Sequence, residues 1–100
     1  MILCALQLTD AATITSVALL PSQSWIGQTI ALTCVADGVP TQILTWKKPD
    51  GTELNTVTAL ENKKDVTMGI DEDFGNYTCS SRNSVGAADT STVQVHQISK

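Results

Sequence analysis

The amino-acid sequence predicts an all-β domain of sandwich or barrel type, and three observations predict it. Apolar residues alternate over short stretches. Turn residues break those stretches at frequent intervals. No longer window carries a sustained i, i+3, i+4, i+7 apolar stripe of the kind a helix needs. At 100 residues the chain holds one domain, with no internal repeat and no linker inside it.

The elements follow in chain order. Thr13 to Leu20 is rich in Thr, Val and Ile and stops at Pro21, which suits an edge strand because proline has no ladder donor. Ile30, Leu32 and Cys34 alternate with Ala31, Thr33 and Val35 in a second strand. Leu44 and Trp46 alternate with Thr45 and Lys47 in a third. Val66, Met68 and Ile70 read as a fourth strand, Tyr77, Cys79 and Ser81 as a fifth, and Val93 and Val95 as a sixth. Between them, Asp37-Gly38-Val39-Pro40, Pro49-Asp50-Gly51-Thr52 and Asn83-Ser84-Val85-Gly86 carry turn chemistry.

Composition excludes several function classes. With 42% hydrophobic and 16% charged residues the chain is globular, and it lacks the apolar run of about 18 residues that a membrane span requires. Its net charge is −4, and Lys47-Lys48 and Lys63-Lys64 are its only basic pairs, so no clustered cationic face is available for nucleic acid. One histidine, His96, and three cysteines do not make the common four-ligand structural zinc site, and no cofactor is expected.

Three features then coincide. Cys34 and Cys79 both fall on inward positions of alternating strands, and Trp46 lies inward between them. The run Asp73-Phe74-Gly75-Asn76-Tyr77-Thr78-Cys79 reads D-x-G-x-Y-x-C. In this the chain resembles the immunoglobulin superfamily, and Cys79 to Gly86 resembles the C-x-A-x-N-x-x-G hairpin of its intermediate, or I-set, type. The resemblance covers roughly Thr13 to Val95. It implies a two-sheet antiparallel Greek-key sandwich with Cys34 on strand B, Trp46 on C and Cys79 on F, and a B–F disulfide joining the cysteines. It also implies that Trp46 packs on that disulfide. Tyr77 becomes a tyrosine corner, Gly75 permits the tight backbone there, and Asp73 bonds local amides. The interval between the cysteines leaves no room for the C′–C″ pair of a variable domain. Strand E reaches Asp73 early, so the corner before strand F looks about two residues short and the register of strand E is open. The implied division is an N-terminal extension over 1–12, an I-set domain over 13–96 and a tail over 97–100.

Function-bearing residues are fewer. Asn76-Tyr77-Thr78 is an N-glycosylation sequon on the outward side of strand F, and paired cysteines imply an oxidising compartment. The outward face of strands C, F and G would present Thr45, Lys47, Thr78, Ser80 and Arg82. A glycan on Asn76 would shield its lower part. Contact with a protein partner is therefore expected at the upper end, at Asp37 to Thr41 and Asn83 to Gly86, with Arg82, Asn83 and Val85 as contact residues beside Thr45, Lys47 and Ser80. Met1 to Ala12 is either a leader remnant at a boundary or an extra strand, and its alternation over residues 1–9, with Cys4, allows dimer formation. No catalytic arrangement is present: His96 has no nucleophile motif near it, and Asp71, Glu72 and Asp73 read as a solvated charged turn.

The leading expectation is an extracellular protein-recognition module of a cell-surface adhesion molecule or receptor, homophilic or heterophilic, that is not an enzyme and does not enter the membrane. The alternatives are an intracellular structural, elastic module of a muscle-type protein and a soluble immune-type recognition protein. Disulfide state and glycosylation separate the first from the second.

Overall fold

The computed structural model describes residues 9–98. Eight strands run in order: β1 (Asp10–Leu20), β2 (Gln23–Ser24), β3 (Thr29–Val39), β4 (Ile43–Lys47), β5 (Glu53–Thr58), β6 (Glu61–Thr67), β7 (Gly75–Arg82) and β8 (Asp89–Gln97), with a 3₁₀ turn at Asp71–Asp73. They form two sheets, β1-β3-β6 and β2-β8-β7-β4-β5. Strand order and the connections that cross between sheets make the two-sheet sandwich that the resemblance implies.

Alternation explains why the sheets pack. On β3, Ile30, Leu32, Cys34 and Ala36 are buried, while Ala31 and Asp37 between and beyond them are exposed. Leu44 and Trp46 of β4, Tyr77 and Cys79 of β7, Val95 of β8 and Met68 complete one core. Cys34 and Cys79 are bonded across it, with Cα atoms 6.4 Å apart. Closing a loop between residues separated by 45 positions contributes about 4 kcal/mol in the chain-entropy account.

Several expectations are corrected by the structure. β3 runs through Asp37 and Gly38 to Val39, because β1 pairs beside it as far as Asp10 opposite Val39, so the turn begins only at Pro40. β1 accordingly starts at Asp10, earlier than the Thr13 read from alternation, and buries Ala12. β8 continues through His96 to Gln97. One pairing is parallel: after Pro21 the chain crosses from one sheet to the other, so β2 meets β8 running in the same direction. β6 ends at Thr67; Met68 is the last inward residue and Ile70, read as a strand position, is 56% exposed. This settles the register of strand E, whose inward residues begin with Asn62 opposite Cys34. β5, at the far edge of the five-stranded sheet, is a strand that the alternation did not reveal; it stands singly where a variable domain has a pair. Residues 1–8, Cys4 among them, lie outside the described residues.

Candidate functional site

At the lower end of the sandwich, the D-x-G-x-Y-x-C residues build a corner. The Tyr77 hydroxyl donates to the Asp73 backbone carbonyl. The Asp73 carboxylate accepts from the amides of Gly69 (2.7 Å) and Ile70 (3.1 Å), and its other oxygen meets Lys48 Nζ at 2.9 Å. Asp73 is therefore buried and paired, unlike its exposed neighbours Asp71 and Glu72, which corrects the reading of a wholly solvated turn. The Lys48 ammonium holds the Asp73 carboxyl below its ordinary range, and Asp73 in turn raises Lys48. Burial pushes the Tyr77 phenol up to about 12. Gly75 adopts φ +128°, a left-handed value that favours glycine, while a Cβ there would only touch Pro49 at 3.4 Å. These residues hold the fold and leave no group free for chemistry.

Two buried amides also join the sheets. Asn62 Nδ2 donates to the Leu44 carbonyl at 3.1 Å and exchanges hydrogen bonds with Asn55. The Trp46 indole N–H donates to the Asn62 carbonyl at 3.0 Å. Gln42 Nε2 donates to the carbonyls of Ala36 and Ala59, spanning from β3 to the short β5–β6 link.

The outward face of the five-stranded sheet is an ordered array of hydroxyls. Register places Thr56, Thr45, Ser80 and Thr90 in one row, and Lys47, Thr78 and Thr92 in the next. Thr45 pairs with Thr56 at 3.1 Å and Thr78 with Thr92 at 3.2 Å. Asn76 is exposed at the lower end of this face, opposite Gln94. Thr45, Lys47 and Ser80 thus share the face, as the alternation required.

The upper end is where expected contact residues meet. Pro40, Thr41, Ile43, Arg82, Asn83 and Ser84 line a shallow concavity of about 340 Å³. Arg82 is exposed and stands directly opposite Ile43 across the β4–β7 pair. Asn83 differs from its expected role as a free contact: its Nδ2 donates to the carbonyls of Asp10 (2.8 Å) and Pro40 (3.0 Å), and its Oδ1 accepts from the Val85 amide (3.0 Å). It fastens the β3–β4 connection, the start of β1 and the β7–β8 turn to one another. Val85 is half-buried and does not line the concavity. Ile43 is the lining residue that the sequence reading missed, although alternation backward from Leu44 turns it outward. No group of three or more His, Cys, Asp and Glu able to hold a metal occurs among the described residues.

The immunoglobulin-domain family profile matches residues 13–83. The chain belongs to the immunoglobulin domain family. Rat neuronal cell adhesion molecule is 38% identical over 64 residues, covering 61% of this immunoglobulin domain's chain and 5% of that protein. The basement membrane proteoglycan of Caenorhabditis elegans is 42% identical over 57 residues, covering 55% of this chain and 2% of its own length. The chain therefore spans only a small part of the relatives it matches. In structure it is similar to one chain of a mutant titin M10–obscurin-like 1 immunoglobulin complex: TM-score 0.72 at 22% identity, covering 90% of this chain and 95% of the other. That likeness carries the fold alone.

Proposed function

We propose that this immunoglobulin domain is an extracellular protein-recognition module of a cell-adhesion or receptor protein, meeting its partner at the upper end of the sandwich. The observation that carries the reading is the fastened concavity beside Arg82. Asn83 ties its walls together before any partner arrives, so little loop ordering opposes binding. Arg82 is the single arginine of an acidic chain, and it makes no ion pair among the described residues. It therefore suits a partner that brings a carboxylate beside an apolar side chain, which Pro40 and Ile43 would receive. The Cys34–Cys79 bond supports an oxidising compartment, and the similarity to adhesion molecules supports the same reading. Against an intracellular elastic module stands the disulfide, since the titin likeness speaks for the fold only.

The test uses the domain displayed as a tetramer, because single domains of this size bind weakly and gain through avidity. Staining of a panel of intact cells, and binding to an immobilised copy of the domain, are compared for wild type, Arg82→Glu and Gln94→Glu. The reading predicts that Arg82→Glu abolishes whichever signal the wild type gives, and that Gln94→Glu, at the lower end, preserves it. Equal signals from all three would refute the upper-end site.

A further inference from the structure

Two aspartyl-glycyl pairs occur in the chain, Asp37-Gly38 and Asp50-Gly51, and the fold treats them differently. Such a pair is open to ring closure, because glycine has no side chain to shield its amide nitrogen from the neighbouring carboxyl. The glycine nitrogen attacks the side-chain carbonyl carbon of the aspartate. A carboxyl oxygen leaves as water, taking the amide proton with it, and a succinimide ring forms. Water then opens the ring at either carbonyl and returns aspartate or gives isoaspartate. Atoms balance with water alone, and nothing is oxidised or reduced. Asp37-Gly38 is held against this closure. It lies within β3, where Asp37 pairs with Thr13 of β1. The space at Gly38 is full, since a Cβ there would meet Asn83 Nδ2 at 2.9 Å and Ala12 Cα at 3.0 Å. Ring closure needs the backbone to leave the extended form, so β1 would first have to peel away.

Asp50-Gly51 is placed the other way. Both residues are exposed in the turn between β4 and β5. Gly51, at φ +91°, has open space where a Cβ would stand, with nothing within 4 Å. Asp50 Oδ1 accepts the Thr52 amide at 2.8 Å. That contact closes a side-chain turn around the intervening Gly51 amide, and folds the Asp50 carboxyl back beside the nitrogen that attacks it. Two features slow the step. The Gly51 amide donates to the Lys48 carbonyl at 2.9 Å, and hydrogen bonds from Thr52 hold the Asp50 carboxyl below its ordinary value, so little of it is protonated. Both bonds sit at an exposed turn tip, where local opening is frequent. We propose that Asp50 is a site of spontaneous modification in the folded domain, converted to isoaspartate by its own turn while Asp37 is spared. The product carries an extra methylene in the turn backbone and draws the carboxylate away from the Thr52 amide. The Lys48 amide donates to the Thr52 carbonyl at 2.8 Å and the Lys48 ammonium pairs with Asp73, so the altered turn loosens both contacts and lowers the thermal midpoint. This modification does not depend on the upper-end contact.

Prolonged incubation of the whole chain at neutral pH and body temperature tests it, with one sample folded and one unfolded in guanidinium. Isoaspartate is detected by methyl transfer from an isoaspartyl methyltransferase, and electron-transfer fragmentation of peptides assigns it to position 37 or 50. In the folded chain it should accumulate at Asp50 severalfold faster than at Asp37. In the unfolded chain the two sites should convert at similar rates, because the dipeptide is the same at both. Asp50→Glu, whose longer side chain closes the larger ring poorly, should fold as wild type and lose the signal that the folded chain gives. The thermal midpoint of wild type should fall as isoaspartate accumulates, and that of Asp50→Glu should hold. Equal conversion of Asp37 and Asp50 in the folded chain would overturn the proposal. So would an Asp50 that converts only when unfolded, or a folded-state signal that survives in Asp50→Glu.

Discussion

Replacing Asn62 by alanine removes the amide that links the two sheets beneath Trp46. Asn62 is 1% exposed, and its side chain serves Leu44 O and the Asn55 amide. Leu44 is itself fully buried in a strand paired on both sides, so its carbonyl would lose that side-chain donor in a place water does not reach; the lost buried hydrogen bond and the space the amide vacates together cost about 1 to 3 kcal/mol. Loss of the exchange with Asn55 adds about 1 kcal/mol, because Asn55 is half-buried and turns partly to solvent. The Trp46 bond goes to the Asn62 backbone and survives. The sum is about 3 kcal/mol, or about 15 °C in midpoint for a domain of this size. Urea and thermal denaturation of Asn62→Ala, Asn55→Ala and the double variant measure it. Asn55→Ala should cost about 1 kcal/mol, and the double variant less than the sum of the two, since they share one bond pair. A change below about 0.5 kcal/mol for Asn62→Ala, the level of an ordinary surface substitution, would refute the reasoning.

Further outcomes follow from the same geometry. In Gly38→Ala the new Cβ would sit 2.9 Å from Asn83 Nδ2 and 3.0 Å from both the Ala12 Cα and Gln42 Oε1; backbone cannot yield, so a loss of about 1 to 3 kcal/mol is expected in denaturant titration. The Lys48–Asp73 pair makes stability depend on pH. Asp73 is depressed below its ordinary 3.8, so its contribution is present above that value and fades as pH falls through the lower folded value. Lys48 is raised above 10.5, so its contribution is present below that value and fades as pH rises past the folded one. Asp73→Asn should therefore be less stable than wild type near neutrality, and the gap should close under acid; a gap independent of pH would contradict the pairing.

How much of this was legible depends on whether a position obeys alternation. Cys34, Trp46, Tyr77 and Cys79 were readable because buried positions alternate with more exposed ones on each of their three strands. β5 and the first half of β6 were not, and for one shared reason. Their inward positions include Asn55 and Asn62, which satisfy each other, so neither strand displays the apolar period that marks a buried face. Alternation therefore resumed only at Val66, which moved the apparent strand forward and made Ile70 look inward. The Lys48–Asp73 bond joins residues far apart in the chain, and no local pattern announces it. At the upper end, the turn residues announced that Asn83 mattered, but only the three hydrogen bonds of its side chain reveal that it fastens the start of β1, the β3–β4 connection and the β7–β8 turn to one another.

The proposed role places this disulfide-bonded domain outside the cell. Intact mass spectrometry of the protein secreted from eukaryotic cells, with and without reductant and with and without an N-glycosidase, tests it most directly. The account predicts a gain of two hydrogens when the Cys34–Cys79 bond is reduced after denaturation, and a glycan on Asn76 that the enzyme removes. Free thiols at Cys34 and Cys79 with an unmodified Asn76 would contradict it and point to an intracellular structural module.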